Sequence, residues 1–213
     1  MPRIFVGLSL RTRQNWCNIG WSRTMQFHPK VVKMMPEATA ICIIHHSPEQ
    51  AAKLARQFES CTHVEARLAD IQLTAADYAD IVATSDVGAV IIDQYLDPGS
   101  VLGYTGIDVA EYLRRLRPGL PLYLLAHGEQ DLAGREAVVE DVMLEDEFLQ
   151  RCPVYAVRIL RAMGRYLEAM AERDRRYREL VACKLDGALS RSEENELAAY
   201  RAEIELPFAG SAI

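Results

Sequence analysis

Short apolar runs alternate with helical segments along the middle of this chain, and this alternation constrains the fold more than any other feature. The run Ala40–Ile44 is rich in β-branched residues and too short for a helix, which is typical of a parallel strand covered on both faces. Val87–Asp93 is the strongest strand, and Val64–Leu68, Leu120–Leu125 and Val142–Leu144 follow the same pattern. Without hairpin signals between the runs, the alternation predicts a doubly wound α/β fold with a five-stranded parallel sheet.

Helix-capping residues mark the segments between these strands. Ser47-Pro48-Glu49 supplies an N-cap, a first-turn proline and an acid, and so predicts a helix that runs to about Phe58. Thr74 and Asp77 resemble a capping box that opens a second helix. Further helices are predicted over Asp108–Arg117, where Pro118 ends the apolar pattern, and over Asp131–Glu140.

The pattern changes after Pro153, where a long helix is predicted from about Val154 to Leu185. A second helix begins at the Ser190 capping box and runs to Pro207, so the two should fold back as a hairpin. The apolar stripe of this hairpin predicts an interaction surface, which packs either on the α/β body or on a second copy in a homodimer. Its members are Leu160, Met163, Leu167, Met170 and Tyr177.

The chain of 213 residues can bury one full core with an appended piece. We therefore divide it into a basic N-terminal extension (1–38), an α/β domain (39–149) and a C-terminal helical hairpin (150–213). The extension holds both tryptophans, Trp16 and Trp21, and almost no acidic residues. It is either an arm that docks on an acidic surface or a marginally ordered segment, since Met34 and Met35 would also allow a later start.

Composition excludes several classes of function. A net charge of −6 gives no basic surface for displacing counterions from phosphates, so a nucleic-acid partner is not expected. The five cysteines are odd in number and widely scattered, which indicates reduced thiols and a cytoplasmic protein. No apolar run is long enough for a membrane span, so a membrane partner is not expected either.

Asp93 is the first candidate functional residue. A carboxylate at the end of a buried strand is costly to desolvate unless it has partners or a chemical task. In parallel sheets the ligand site lies beyond the carboxyl ends of the strands, where His45, His46 and His127 also fall. These side chains should therefore converge with Asp93 on one pocket, near Asp97 and Asp146.

The segment from Thr39 to Leu149 resembles a response-regulator receiver domain. The residues that carry the resemblance are Val90-Ile91-Ile92-Asp93 with Leu96, the turn Gly106-Ile107-Asp108, the helix from Glu111 to Pro118, and the strand with Pro121 that ends before Ala126. The resemblance implies a flavodoxin-like sheet in the order 2-1-3-4-5. It also implies that a histidine kinase would transfer a phosphoryl group to Asp93, with Mg²⁺ neutralising the oxygen charge.

The sequence departs from the receiver pattern at every assisting position. His45 and His46 stand where an acidic pair is expected, and Ala126 stands where a hydroxyl residue ends the fourth strand. His127 replaces a small residue, and Asp146 replaces the lysine after the fifth strand. Because imidazoles are poor Mg²⁺ ligands, these changes indicate a degenerate receiver, or pseudo-receiver, with weak or absent Mg²⁺ binding. The expected function is signalling or adaptor work through protein–protein contacts, with no cofactor and no catalysis.

Two sharper alternatives stay open. Asp93 could still accept phosphate, as in a response regulator or phosphate sink of a two-component-like or defence-associated system, with a histidine kinase or signalling complex as partner. Alternatively, His46, Asp93 and His127, with His45 beside them, are a set that suits Zn²⁺, and an open coordination position would give a hydrolase-like site. Against that alternative, the histidines need only hydrogen-bond Asp93. His45 and His46 can both reach it only if the strand bends, because adjacent strand residues point to opposite faces.

Overall fold

A computed structural model of the chain describes residues 39–83, 86–97, 99, 101–128 and 138–205. The basic N-terminal extension lies outside the described residues, as does most of the helix predicted over Asp131–Glu140; residues 138–140 form a turn that leads into the last strand.

Five parallel strands form one sheet in the order β2-β1-β3-β4-β5. This is the flavodoxin-like order of a doubly wound sheet, and it confirms the predicted receiver-like fold. The pairing is regular except for a shift in register between β1 and β3 at Ala40 and Ile41. The strands are β1 (Ala40–Ile44), β2 (Glu65–Ala69), β3 (Val87–Asp93), β4 (Leu122–Ala126) and β5 (Asp141–Leu144).

Six α-helices connect and extend these strands in the described part of the chain. Ser47 caps the first of them by accepting a hydrogen bond from the Gln50 amide, as predicted. The Thr74 capping box opens a 3₁₀ turn (Ala75–Tyr78) before the second helix rather than one continuous helix. The helices are α1 (Pro48–Thr62), α2 (Ala79–Ala83), α3 (Gly106–Leu116), α4 (Glu145–Gln150), α5 (Cys152–Leu185) and α6 (Arg191–Glu205).

The two faces of the sheet bury separate hydrophobic cores. Alternate strand residues such as Ile43 and Ile91 pack with α1, α4 and the first half of α5. Their neighbours Ile44 and Ile92 point the other way and pack with the 3₁₀ turn, α2 and α3. Because helices cover both faces, the carboxyl edge of the sheet is left as the place where strand-end side chains can meet.

The first half of α5 belongs to the core of the α/β body. Leu160 and Met163 are fully buried against the sheet, so this part of the predicted stripe packs on the α/β body, which is the first of its two predicted partners. The core therefore extends beyond the predicted boundary at residue 149. Leu167 and Met170, further along α5, are only partly buried.

The second half of α5 folds back on α6 as the predicted hairpin. Leu180 and Leu197 are buried between the two helices, and the Arg176 guanidinium makes two hydrogen bonds to Glu196 at 3.0 and 2.8 Å. The Tyr177 and Tyr200 rings lie edge to face at 6.3 Å between centroids. Tyr177 is thus partnered inside the hairpin.

Within the described ranges, none of the helices combines the length and apolar character needed to cross a bilayer.

Candidate functional site

The carboxyl edge of the sheet gathers side chains from four strand ends. Asp93 is the last residue of β3, and His45 and His46 directly follow β1 on one side of it. His127 follows β4 on the other side, and Glu145 is the first residue of α4, directly after β5. Their meeting point is where the strand order reverses, which is the usual ligand site of such a sheet.

Asp93 is the buried centre of this group. Its side chain has 0% exposed surface, and both carboxylate oxygens have partners. Oδ1 accepts the Tyr95 amide N–H at 3.0 Å and lies 2.8 Å from His127 Nε2. Oδ2 contacts His46 Nδ1 and lies 3.4 Å from the His46 amide nitrogen. The carboxylate is therefore enclosed by two imidazoles and two backbone amides.

These contacts also determine the ionisation of Asp93. Burial acts to raise the pKa of the carboxyl group because it penalises the charged form. The hydrogen bonds from His46, the Tyr95 amide and His127 outweigh burial, so the pKa of Asp93 lies below its ordinary value. The group is an anion at neutral pH.

The tautomer of His45 follows from its hydrogen bonds. The Ser47 amide donates to His45 Nδ1 at 2.9 Å, so that nitrogen carries a lone pair and no proton. The neutral ring then holds its proton on Nε2, which points to Glu145 Oε2 at 3.4 Å. The 3.6 Å separation between His45 Nδ1 and Asp93 Oδ2 is consequently an electrostatic contact rather than a hydrogen bond.

Glu145 joins the outer side of the cluster. Its Oε2 lies 3.5 Å from His127 Nδ1 and 3.4 Å from His45 Nε2, and its side chain is largely buried. Two imidazoles thus lie between the carboxylates of Asp93 and Glu145.

The structure brings His45, His46, Asp93 and His127 together as the sequence predicted. One donor atom from each lies within 4.8 Å of the others. Both neighbouring histidines reach Asp93 because β1 ends at Ile44, so the pleat no longer forces them to opposite faces. The two rings stack at 4.7 Å between centroids.

Other predicted site residues occupy different positions. Ala126 is buried at the end of β4 and brings no hydroxyl to Asp93. Asp97 turns into its own loop, where it accepts the amides of Gly99 and Leu102. Asp146 is exposed at the rim of the site, one residue beyond the glutamate that contacts the imidazoles.

Sequence reasoning missed Glu145, although it sits in the acidic run 145–147 that follows β5. The acidic run is visible in the sequence, but the sequence does not show which of its residues faces the imidazoles. Helix α4 begins immediately at Glu145, and this start turns the first acid inward and leaves Asp146 outside.

An open cleft of about 880 Å³ adjoins the cluster between the ends of β1, β4 and β5. Glu145, Asp146 and Glu147 make one wall acidic, and none of the described residues that line the cleft is a lysine or arginine. His46 and His127 are 28% and 36% exposed at the side chain, so they form the accessible edge of the cluster.

The donor set does not suit the Mg²⁺ ion that the receiver resemblance implies. Mg²⁺ demands near-octahedral oxygen coordination, whereas three of the four clustered donors are imidazole nitrogens. Nitrogen donors of this kind favour Zn²⁺ and other borderline metals.

No protein-family model and no curated protein matched the sequence. Similar solved structures include a response regulator receiver domain protein from Clostridium thermocellum, with 17% identity over 60% of this chain and 95% of that chain and a TM-score of 0.47. A pilus assembly-related protein from Burkholderia pseudomallei shares 19% identity over 59% and 91% of the two chains, with a TM-score of 0.46. The RcsB response regulator of Salmonella typhimurium shares 14% identity over 84% and 95%, with a TM-score of 0.48. The fold assignment rests on the strand order of this chain's own sheet.

Proposed function

We propose that this chain is a receiver-like signalling or adaptor protein that acts through protein–protein contacts, and that Mg²⁺-dependent phosphotransfer to Asp93 is lost. The enclosure of Asp93 carries the proposal. An attacking oxygen must come within about 3–3.5 Å of the phosphorus atom with its lone pair free. In this chain both oxygens of Asp93 accept hydrogen bonds. The imidazoles of His46 and His127 occupy the space from which a phosphoryl group would have to reach them.

The groups that would stabilise a transferring phosphoryl group are also missing. Ala126 supplies no hydroxyl, and Glu145 brings a negative charge to the region where the resemblance implies a lysine. Each charge-stabilising contact of this kind is worth about 2.7–4 kcal/mol. Losing two would slow the transfer by roughly four to six orders of magnitude, before the poor Mg²⁺ fit is counted.

A protein partner is favoured over nucleic acid by the net charge of −6 and by the acidic wall of the cleft. With the phosphorylation chemistry absent, the partner would recognise one constant state of the domain. Its binding should therefore not depend on phosphate donors.

Intact-mass measurement tests the loss of phosphotransfer. The full chain is incubated with acetyl phosphate and Mg²⁺, alongside Asp93→Asn and the control Asp97→Asn. We expect no phosphoryl adduct on the parent chain. An adduct that Asp97→Asn keeps and Asp93→Asn loses would overturn the proposal and restore the phosphate-accepting alternative.

Affinity capture from native extract tests the interaction function. We expect the parent chain and Asp93→Asn, with the variant shown to be folded by circular dichroism, to recover the same partner in equal amounts, with or without acetyl phosphate, because the Asp93 site is not switched. Recovery that requires acetyl phosphate and fails with Asp93→Asn would contradict the proposal. The proposal would also be contradicted if the chain captured no protein beyond those that an unrelated protein of equal charge captures.

A further inference from the structure

Beyond an interaction role, we propose that His46, Asp93 and His127 bind a borderline divalent metal ion, Zn²⁺ foremost, and that Glu145 orients the His127 ring from behind. The site joins the ends of β1, β3 and β4. Whether it binds a metal ion does not depend on whether the proposed interaction function is correct.

The donor atoms already have nearly the spacing that a metal needs. Tetrahedral Zn²⁺ with bonds of about 2.0–2.1 Å places its ligand atoms about 3.4 Å apart. His127 Nε2 lies 2.8 Å from Asp93 Oδ1, and all four donors of the cluster lie within 4.8 Å of one another. The pair formed by His46 Nδ1 and Asp93 Oδ2 is closer still. A shift of less than an ångström in His127 and one of about an ångström in His46 would open both pairs to that spacing, and both side chains are partly exposed.

The surroundings of His127 match those of a metal-bound imidazole. Metal-binding histidines commonly donate the second ring N–H to a carboxylate, which fixes the tautomer and leaves the other nitrogen free to bind. In this chain Nε2 faces Asp93 and Nδ1 faces Glu145 Oε2 at 3.5 Å. Binding of the metal would displace the proton that Nε2 now donates to Asp93, and a proton on Nδ1 facing Glu145 would then direct the Nε2 lone pair at the metal.

Charge favours a cation at the same point. Asp93 is fully buried and Glu145 lies on the far side of the imidazoles, yet no lysine or arginine among the described residues lines the adjoining cleft. Hydrogen bonds already hold the buried carboxylate of Asp93 ionised, and a nearby positive charge would stabilise this anion further. A divalent ion would balance both carboxylates.

The geometry also predicts an exchangeable position on the metal. His45 Nδ1 is the fourth nearby donor, but its lone pair already accepts the Ser47 amide. With His45 held in that role, the fourth position falls to water or to an oxygen ligand from the cleft, on the side where His46 and His127 are exposed. Three protein ligands with one open position are typical of reactive rather than structural zinc sites.

Equilibrium metal binding tests the site on the full chain carrying no histidine tag. Isothermal titration with Zn²⁺ and, separately, Mg²⁺ is run on the parent, on His127→Gln and Asp93→Asn, and on the matched control His63→Asn. His63 is exposed, lies far from the cluster, and has a φ of 61° that asparagine tolerates. We expect one Zn²⁺ per parent chain and no Mg²⁺ binding. Both cluster variants should lose the stoichiometric site, and His63→Asn should keep it.

A second pair of variants tests the orienting role of Glu145. Glu145→Gln should weaken Zn²⁺ binding by about 10–100-fold, the usual effect of removing such a carboxylate. Its exposed neighbour Asp146 provides the control, and Asp146→Asn should leave the affinity unchanged. Replacing Zn²⁺ by Co²⁺ should give the intense visible absorption of a four-coordinate ion in the parent but not in His127→Gln.

The proposal is overturned if the parent binds no stoichiometric Zn²⁺, or if His127→Gln, folded as judged by circular dichroism, binds it as tightly as the parent. Because His127 is partly exposed, this variant keeps the test valid even if Asp93→Asn fails to fold. A negative result would leave the interaction function untouched, since that function is tested by phosphate labelling and partner capture.

Discussion

Gly106 lies directly against the backbone of the site, and adding a methyl group there would create a severe clash. It is buried at the first residue of α3, where its amide donates to the Gln94 carbonyl at 3.0 Å. A methyl group built at Gly106 would lie 2.1 Å from the Asp93 carbonyl oxygen and 2.9 Å from its carbonyl carbon. Both atoms are backbone, so no side-chain rotation can relieve the clash.

The size of the clash allows an estimate of its cost. The methyl group would come about 1.3 Å closer to the Asp93 oxygen than the ordinary van der Waals limit near 3.4 Å. Overpacking of this kind typically costs about 1–3 kcal/mol, and a clash with backbone belongs at the upper end. Alanine gains at most about 1 kcal/mol in helix propensity over glycine. Gly106→Ala should therefore lower the free energy of unfolding by about 2 kcal/mol or more.

Two other glycines calibrate the measurement. Gly164 lies inside α5 with no atom near its would-be methyl group, so Gly164→Ala should stabilise the chain by about 1 kcal/mol. At Gly88 the methyl group would meet the side chains of Met163 and Thr39 at 2.9 Å. Because these side chains can shift, Gly88→Ala should cost less than Gly106→Ala.

Urea unfolding followed by circular dichroism measures all three variants against the parent, with equal slopes required for comparison. The expected order of stability is Gly164→Ala, parent, Gly88→Ala and Gly106→Ala. If Gly106→Ala matched the parent, or lost less stability than Gly88→Ala, the close approach of α3 to the end of β3 would be refuted.

Three further predictions concern the two cores and the hairpin. Tyr78→Phe should lower the free energy of unfolding by about 1–3 kcal/mol, because the buried Tyr78 hydroxyl accepts the Gln72 amide at 3.1 Å and phenylalanine leaves that donor unpaired. An unchanged midpoint of urea unfolding would contradict this prediction. Cys42 and Cys152 should not react with a thiol reagent at pH 8 until the chain is unfolded, since burial raises the pKa of Cys42 to about 12 and also raises that of Cys152; fast labelling of either in the native chain would disprove this. Leu197→Ala should weaken the packing of α6 on α5 by about 2–5 kcal/mol. Amide hydrogen exchange should then become faster in α6 and stay unchanged in the sheet. Equal acceleration in both would contradict this prediction and show that the hairpin and the sheet unfold as one unit.

The strands of this fold could be predicted because their signals are local. Strands β1 and β3 have the bounds that their β-branched runs predict, and the other three differ by one or two residues. The short helix α4 was missed because six residues give too little periodicity to detect. The sequence left two partners open for the apolar stripe of the hairpin for a related reason. An apolar stripe on α5 does not show whether it packs on the sheet, as Leu160 and Met163 do, or remains accessible.

The sequence by itself determined which chemical groups stand at the strand ends: three histidines, one aspartate and an alanine in place of a hydroxyl residue. Residue type and strand position are properties of short segments, so they can be read without the fold. Only the tertiary structure decided that His45 and His46 both turn to Asp93, that Glu145 rather than Asp146 supports the imidazoles, and that the carboxylate is closed to solvent. These facts depend on where each strand stops and on how segments far apart in the chain pack, and a shift of one residue at a strand end reverses them.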